Sequence, residues 1–292
     1  MRTQASILLS MNTLARDAQT AVLRALVEGN SMRATSRITG VARNTISDLL
    51  RDVGAHCKNH HDRFVRGVAA KRVQADEAWA FCYAKARNVG PEMPAGAGDA
   101  WTWAAIDQDS KLVITYRVGE RNGEMAHAFM ADLANRLAVR CQLSTDGLAW
   151  YKAAVESAFG WNGCDYAQII KVFGAPPSDG SRRYSPPGVT GVRKYWVMGE
   201  PKEADVCTSH VERQNLTLRM QSRRYTRLTN AFSKKLECHL YATALHFEYV
   251  NWCRPHTTLT KRAGAPTTPA MAAGLTDRVW GISDLLNLLH GD

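Results

Sequence analysis

The 292-residue sequence lacks the paired cysteines of a disulfide framework or a zinc ribbon. Its seven cysteines stand singly, their number is odd, and none belongs to a Cys-x-x-Cys pair, so neither kind of site is indicated. No apolar run approaches the roughly 20 residues that cross a bilayer, and the stretch 7–9 is too short for the core of a signal peptide. We therefore expect a cytoplasmic protein with reduced thiols and no membrane partner.

Acidic residues are also in the minority. The chain has 27 aspartates and glutamates against 37 lysines and arginines, which gives a formal charge of +10. Hydrophobic residues make up 45% of the chain, as is typical of folded globular proteins, and this excludes the disordered and fibrous classes. The excess of positive charge favours a polyanion as the partner.

The N-terminal segment 1–72 carries most of this charge, with 12 basic residues against 5 acidic ones. Apolar residues recur there at helical spacing in three runs, which are separated by Gly29-Asn30 and by a corner at Gly40. This pattern favours a helix-turn-helix module over residues 1–60, followed by a linker over 61–71. The residues of the third helix that would face DNA are Arg43, Asn44, Ser47 and Arg51. A helical bundle with a solvated basic face is the alternative.

From Arg72 onward the hydrophobic pattern changes to the alternation of a β-strand. Three strands are expected in succession, followed by helix, strand, helix, strand and helix. This order is that of an RNase H-like α/β domain, and it predicts a mixed five-stranded sheet with flanking helices over 72–250. A basic, proline-rich insertion is expected over 174–206, with a small strand at 195–197. Residues 251–292 are expected to form an irregular tail.

Three acidic residues fall at positions that this fold would bring together. Asp76 lies inside the first strand, Asp146 ends the fourth, and Glu212 is near the start of a late helix. If the first and fourth strands are neighbours, the aspartates meet at one sheet edge, and a helix packed nearby adds the glutamate. Clustered carboxylates repel one another, and a hard cation such as Mg²⁺ relieves that repulsion. Two such ions about 4 Å apart are suited to phosphodiester transfer. Glu77 is expected to point to the opposite face of its strand.

The late helix carries further residues suited to binding phosphate. Asn215 and Arg219 follow Glu212 at i+3 and i+7, on one stripe of the helix. The segment 212–235 contains seven basic side chains and one acidic one. The residues expected to hold the DNA backbone are Arg219, Arg223 and Arg224, with Asn215 orienting a phosphate. Such a stripe predicts DNA binding that weakens steeply with salt. A solvated helix face is the alternative.

Longer stretches of the sequence resemble a known family, the DDE transposases of bacterial insertion sequences, in the insertion-sequence-one group. The segment from Thr208 to Met220, continued by Arg224 to Lys235, is similar to the glutamate block of that group. Asp76-Glu77-Ala78-Trp79 and Thr145-Asp146-Gly147 resemble its two aspartate blocks. The C-terminal signature is matched by Asn251 to His256 and Thr268 to Gly274. The zinc motif that many members carry before the helix-turn-helix is absent, which leaves end recognition to the helical module.

The resemblance implies a DNA transposase of the retroviral integrase superfamily. In it, Asp76, Asp146 and Glu212 would bind two Mg²⁺ or Mn²⁺ ions and catalyse cleavage and strand transfer. The partners would be double-stranded DNA, both terminal inverted repeats and target. A homodimer or higher oligomer is expected on DNA, because two ends must be joined. Two alternatives remain open: an RNase H-like nuclease or resolvase that only hydrolyses, and a catalytically silent, transposase-derived DNA-binding regulator.

Overall fold

The structure, a computed structural model, describes residues 14–174, 188–226 and 229–290. The strands are β1 (Arg72–Cys82), β2 (Gly98–Asp107), β3 (Val113–Gly119), β4 (Cys141–Asp146), β5 (Cys164–Phe173) and β6 (Val189–Met198). The helices are α1 (Arg16–Val27), α2 (Met32–Thr39), α3 (Arg43–Phe64), α4 (Gly123–Arg136), α5 (Ala149–Phe159), α6 (Ser209–Gln221), α7 (Leu236–Glu248), α8 (Thr257–Ala263), α9 (Pro269–Ala272) and α10 (Ile282–Asn287). Within these ranges, none of the helices combines the length and the apolar character that spanning a membrane requires.

The strands form one mixed sheet of six strands in the order β3-β2-β1-β4-β5-β6. β1 pairs antiparallel with β2, and β2 with β3, as consecutive strands of a meander. β4 runs parallel to both β1 and β5. The mixed α/β class with flanking helices is therefore confirmed, and the order of elements is the one expected for an RNase H-like domain.

The sheet has one strand more than the five expected. β6 pairs antiparallel with β5 over most of its length, whereas the sequence predicted only a small strand at 195–197. The part of β6 that the sequence did not predict contains Gly191, Arg193 and Lys194, which weaken the hydrophobic alternation. Pairing with β5 supplies the backbone hydrogen bonds that such a strand needs. Residues 175–187 of the expected insertion lie outside the described residues.

Helices cover both faces of the sheet. On one face, Trp103 and Ala75 of the sheet pack in the core with residues of α4 and α5. On the other face, Ala78 and Ala80 of β1 pack against Leu218 of α6. Successive residues of β1 therefore point alternately toward α6 and toward the α4–α5 layer, and this decides where the acidic residues of β1 point.

The three N-terminal helices begin and end close to where the hydrophobic pattern predicts them. The Ser31 side chain accepts a hydrogen bond from the Ala34 backbone N–H at the start of α2, and Gly40 ends that helix in the left-handed region at φ 72°. α3 continues to Phe64, into the segment 61–71 where a linker was expected. One face of its last turns is buried, since the His61 ring lies against the sheet with its Nε2 bonded to the Ile114 carbonyl at 3.1 Å.

α3 packs along α7, and this joins the N-terminal helices to the sheet domain. Gly54 permits the close approach, because a Cβ at that position would lie 2.5 Å from the carbonyl oxygen of Tyr241. Near the end of the contact, His60 Nδ1 lies 2.5 Å from the Glu248 carboxylate, and both residues are buried. The apolar residues of α1 and α3 consequently belong to the same hydrophobic core as those of the sheet.

The C-terminal residues are helical, so the expectation of an irregular tail over 251–292 is wrong for the part that the structure describes. Ala270, Leu285 and Leu286 of α9 and α10 are buried in the main core. Thr268 caps α9, and Pro269 occupies its first turn. Helices this short carry little periodicity and are stabilised by packing rather than by intrinsic propensity, so the pattern did not predict them.

Candidate active site and basic cleft

Asp76 and Asp146 lie side by side at the point where β4 ends. The two strands pair in parallel as far as Ala75 and Thr145, so the next residue of each strand is an aspartate. A carboxylate oxygen of one aspartate lies within 4.8 Å of a carboxylate oxygen of the other. Neighbouring parallel strands therefore bring two residues that are far apart in the sequence to one edge of the sheet.

Glu77 joins the two aspartates, with a carboxylate oxygen within 4.8 Å of both. We call these three residues, Asp76, Glu77 and Asp146, the close group. It pairs with Trp103 on the face of β1 opposite to Asp76. Its carboxylate still reaches the aspartates beside the end of β4 at Asp146. The Glu77 side chain is 1% exposed, and Arg121 Nη2 lies 3.2 Å from its Oε2 and 4.0 Å from Asp146 Oδ2.

The close group carries more negative charge than its surroundings compensate. Burial, followed by repulsion from Asp146, raises the pKa of Asp76 to about 6. The same two causes raise the pKa of Glu77 to about 7. Asn215 opposes the shift at Asp76, since its Nδ2 donates to Asp76 Oδ2 at 2.9 Å. Raised carboxyl pKa values in a cleft are typical of sites that need a cation when fully ionised.

Glu212 lines the same cavity but stands apart from the close group. The cavity, which we call the acidic site, has a volume of about 330 Å³ and is lined by Asp76, Asp146 and Glu212 among others. Glu212 lies in the first turn of α6. Its Oε1 accepts hydrogen bonds from Lys171 Nζ at 2.5 Å and from Thr208 Oγ1 at 2.6 Å. The charge of Glu212 also contributes to the raised pKa of Asp76, so the acids share one electrostatic environment.

The donor set of the acidic site fits a hard divalent cation. Mg²⁺ and Mn²⁺ prefer carboxylate oxygens, and Asp76, Asp146 and Glu77 supply them at mutual distances that one ion can bridge. The Oε1 atom of Glu77 is buried, and the hydroxyl of Tyr151 lies beside this carboxylate and lowers its pKa. That single neutral donor does not offset the burial and the repulsion that raise the pKa of Glu77. A bound cation would relieve the carboxylate repulsion.

A second, larger cavity of about 920 Å³ lies between the N-terminal helices and the segment that follows α6. The basic side chains among its lining residues are Arg33, Arg43, Arg223, Arg224 and Lys234. Of the described residues that line it, none is acidic. We call this cavity the basic cleft. Its charge suits a polyanion, because every ionised side chain on its wall attracts phosphate.

The structure brings together some of the predicted DNA-binding residues and separates others. Those that line the basic cleft are Arg43, Asn44, Arg223 and Arg224. Arg224 is partly withdrawn, since its Nη1 donates to Ser233 Oγ at 2.8 Å. Ser47 and Arg51 lie farther along α3, where Arg51 is paired with Asp48 at 2.9 Å. Asn215 is bonded to Asp76 in the acidic site, and Arg219 is half-buried on α6. Their role in DNA binding stays a prediction.

Lys171, Thr208 and Arg121 had no sequence signal that assigned them to the site. Lys171 and Arg121 come from β5 and from the loop before α4, and only tertiary contacts place them beside the acids. Glu77 had a signal, namely a second acid next to Asp76 within an otherwise apolar strand. The alternation of β1 put Glu77 on the face opposite to Asp76 and so argued against a place for Glu77 in the site. Alternation determines the face of a side chain, but it does not determine how far the carboxylate extends past the end of the neighbouring strand.

No family model matches this sequence, and no curated protein matches it. Solved structures do share some of its shape. A Mos1 transposase paired-end complex with left transposon end is 15% identical over 53% of this chain and 60% of that chain, with a TM-score of 0.24. A piggyBac transposase synaptic complex with hairpin DNA is 11% identical over 99% of this chain and 77% of that chain, with a TM-score of 0.42. These scores are low, so function is inferred below from the residues of the sites themselves.

Proposed function

We propose that the protein is a DNA transposase whose acidic site catalyses metal-dependent cleavage and strand transfer. The observation that carries the proposal is the convergence of Asp76, Asp146 and Glu212 on one cavity from three distant parts of the chain. These acids are the ones that the resemblance to DDE transposases of bacterial insertion sequences selects. The basic cleft adds a surface suited to the phosphates of the same substrate.

The chemistry follows from the kind of site that clustered carboxylates make. Asp76, Asp146 and Glu212 would hold two Mg²⁺ or Mn²⁺ ions, and these would supply activation of an attacking oxygen and stabilisation of a leaving one. In the first reaction a water oxygen bonds to phosphorus at the transposon end, the bond from phosphorus to the 3′ oxygen breaks, and a proton passes to that oxygen. In the second, the 3′-hydroxyl attacks a phosphodiester of target DNA in line, and the displaced oxygen leaves as a new 3′-hydroxyl.

Neighbouring side chains hold the acids in position for this chemistry. Asn215 fixes the Asp76 carboxylate through its amide N–H, and Thr208 fixes Glu212 through its hydroxyl. Asp146 is fixed by its Oδ1, which accepts from the Leu148 backbone N–H at 3.0 Å. Three separate donors therefore determine three carboxylate orientations. Such donors orient the two aspartates before substrate binds, whereas Glu212, which stands apart from them, has to turn toward a metal held between them.

The N-terminal helices would recognise the transposon ends, acting as a helix-turn-helix module. Arg43 and Asn44 are exposed at the start of α3, with Ser47 and Arg51 on the following turns. The backbone of the same DNA would lie along Arg219, Arg223 and Arg224. Two ends must be held together for joining, so we propose that a dimer or higher oligomer assembles on DNA.

Strand transfer distinguishes this function from its alternatives. The purified protein is incubated with Mg²⁺, a supercoiled plasmid and a pre-cut oligonucleotide that carries a terminal repeat of the element encoding it. Covalent joining of oligonucleotide to plasmid, lost in Asp76→Asn, is the expected result. Hydrolysis without joining would indicate a nuclease, and binding without either reaction would indicate a silent regulator.

A further inference from the structure

Lys171 is a cation placed inside the acidic site. It lies on β5 two residues beyond Ile169, the partner of Asp146 in the sheet, so both side chains leave the same face. Its ammonium lies 2.5 Å from Glu212 Oε1. Of the described residues that line the cavity, Lys171 is the one that carries positive charge, against three carboxylates.

The contact with Lys171 has a consequence for how Glu212 meets a metal ion. Glu212 Oε1 accepts from both Lys171 and Thr208, so its lone pairs on that oxygen are in use. A divalent ion bound to either carboxylate oxygen of Glu212 would bring two positive charges to within roughly 5 Å of the ammonium, given metal–oxygen distances of about 2 Å. Repulsion at such a separation is strong in a partly enclosed site. Binding of the ion by Glu212 therefore opposes the Lys171 contact.

The Lys171 side chain is able to move its ammonium away from Glu212. The Lys171 side chain is 34% exposed and that of Glu212 is 39% exposed, so both side chains reach solvent from the wall of the cavity. The four-carbon stem of lysine lets the ammonium move while its backbone stays in the sheet. A DNA phosphate bound at the acidic site would therefore lie within reach of this side chain.

We propose that Lys171 is a phosphate-binding residue that Glu212 holds until metal binds. In the metal-free protein the ammonium stays on Glu212. When Glu212 binds metal, Lys171 is released and contacts a phosphate of the DNA strand entering the site. This inference rests on the proposed function, since it takes Glu212 to be a metal ligand and DNA to be the substrate.

The test compares the salt dependence of DNA binding with and without metal. Lys171→Met, Lys171→Arg and the wild type are titrated with a random-sequence duplex at several salt concentrations, once in Ca²⁺, which takes the same oxygen ligands, and once in EDTA. Lys152→Met is the matched control, because Lys152 is exposed on α5. We expect the slope of log affinity against log salt to be shallower by about 0.9 in Lys171→Met than in the wild type in Ca²⁺, the value for one phosphate contact. In EDTA its slope should equal that of the wild type.

Direct Mn²⁺ titration without DNA gives a second readout. Removing a competing ammonium should tighten Mn²⁺ binding by about two- to fivefold in Lys171→Met, as expected for loss of a partly exposed ion pair. Lys171→Arg and Lys152→Met should bind both Mn²⁺ and DNA as the wild type does. Unchanged slope and Mn²⁺ affinity in Lys171→Met, or an equal loss of slope in EDTA, would overturn the inference.

The two levels of failure are distinguishable. If Asp146→Asn abolishes Mn²⁺ binding while Lys171→Met behaves as the wild type, the acidic site binds metal and only the role of Lys171 is wrong. If the wild type binds no Mn²⁺, or Asp146→Asn binds it unchanged, the proposed function fails, and the inference about Lys171 fails with it. Thermal unfolding of each variant shows that it is folded before titration.

Discussion

The acidic site and the basic cleft meet the same proposed substrate with opposite charge. The acidic site gathers Asp76, Glu77, Asp146 and Glu212 around a small cavity, where carboxylates repel both one another and a phosphate. The basic cleft is almost three times as large, and its ionised lining residues are arginines and a lysine. The first needs a cation before it tolerates DNA, whereas the second attracts DNA directly.

This difference separates binding from chemistry. The cleft should hold DNA without metal, with an affinity that depends on salt, because its contacts are to phosphates. The acidic site should contribute only when divalent ions are present, because only then is its charge reversed. Variants in one region should therefore leave the property of the other unchanged, and the predictions that follow are ways to test that independence.

The largest effect is expected for Asp76→Asn. The substitution removes a carboxylate from the centre of the site, and loss of a metal-holding group should lower the cleavage rate about a thousandfold or more, equivalent to about 4 kcal/mol of barrier. DNA affinity in EDTA should be unchanged within about twofold, because the basic cleft is intact. Single-turnover cleavage and a parallel filter-binding assay measure the two quantities. A comparable loss of binding in EDTA would show that the regions are not independent.

The pH dependence of metal binding is the next largest effect. A metal ligand must be deprotonated, so the raised pKa values of Asp76, about 6, and Glu77, about 7, predict that Mn²⁺ affinity rises as pH increases through this range. The affinity should fall about tenfold per unit between pH 7 and pH 6, where the metal displaces one proton, and about a hundredfold per unit below pH 6, where it displaces two. Calorimetric titration between pH 5 and pH 8 checks this, and a flat profile would contradict it.

The contribution of these two carboxyls to the unfolding free energy of the metal-free protein should fall as pH increases, whereas the affinity for Mn²⁺ rises. A carboxyl whose pKa is higher in the folded state than in the unfolded state binds more protons when folded, so unfolding free energy falls as pH rises from about 4 to above 7. The difference in unfolding free energy between the wild type and Glu77→Gln in EDTA should show this decline, because both proteins share the opposite contributions of groups such as His61 and His239, whose pKa is lowered by burial. Saturating Mn²⁺ should remove the decline at the upper end of the range.

Glu77→Gln should lower Mn²⁺ affinity and cleavage less than loss of a catalytic acid does, which distinguishes a secondary metal ligand from a principal one. We expect Mn²⁺ affinity to fall about tenfold, the lower end of the range for groups that surround a metal site. Glu212→Gln is the comparison variant, and we expect it to lower the cleavage rate more than Glu77→Gln does. If Glu77→Gln lowered the cleavage rate more, Glu77 would be the third catalytic acid in place of Glu212.

The smallest effects are expected in the basic cleft. Arg43→Gln and Arg223→Gln should each lower the salt slope of DNA binding by about 0.9 and weaken binding several-fold at low salt. Mn²⁺ affinity should not change in either variant. Arg37→Gln is a matched control, because Arg37 is exposed on α2 and is not among the residues that line the cleft. A change in Mn²⁺ affinity would contradict the separation of the two regions.

Much of the scaffold was predictable, because it depends on local periodicity. The strand ending at Asp146 and the helix beginning near Glu212 follow from alternation and helical spacing. The meeting of Asp76 with Asp146 follows from the expected order of strands. Local pattern carries this information, since it determines which face each side chain takes.

The rest depends on tertiary contacts that no local pattern encodes. The turn of α3 at His61 looked like polar linker because its histidines are polar, yet burial and hydrogen bonds make it helix. The reach of Glu77 past the end of β4 and the contact of Lys171 with Glu212 join elements that are distant in the sequence. In each case a contact between residues distant in the sequence determines the structure and overrides the preference of the local sequence.

The central claim is that the acidic site holds divalent metal between the middle of β1 and the end of β4. Crystals of the wild-type protein soaked with Mn²⁺, with anomalous scattering recorded at the manganese edge, test it most directly. We expect an anomalous peak bounded by the carboxylates of Asp76 and Asp146, with Glu212 turned toward it. Manganese found only at other residues, with these two carboxylates uncoordinated at saturating Mn²⁺ and pH 8, would contradict the claim.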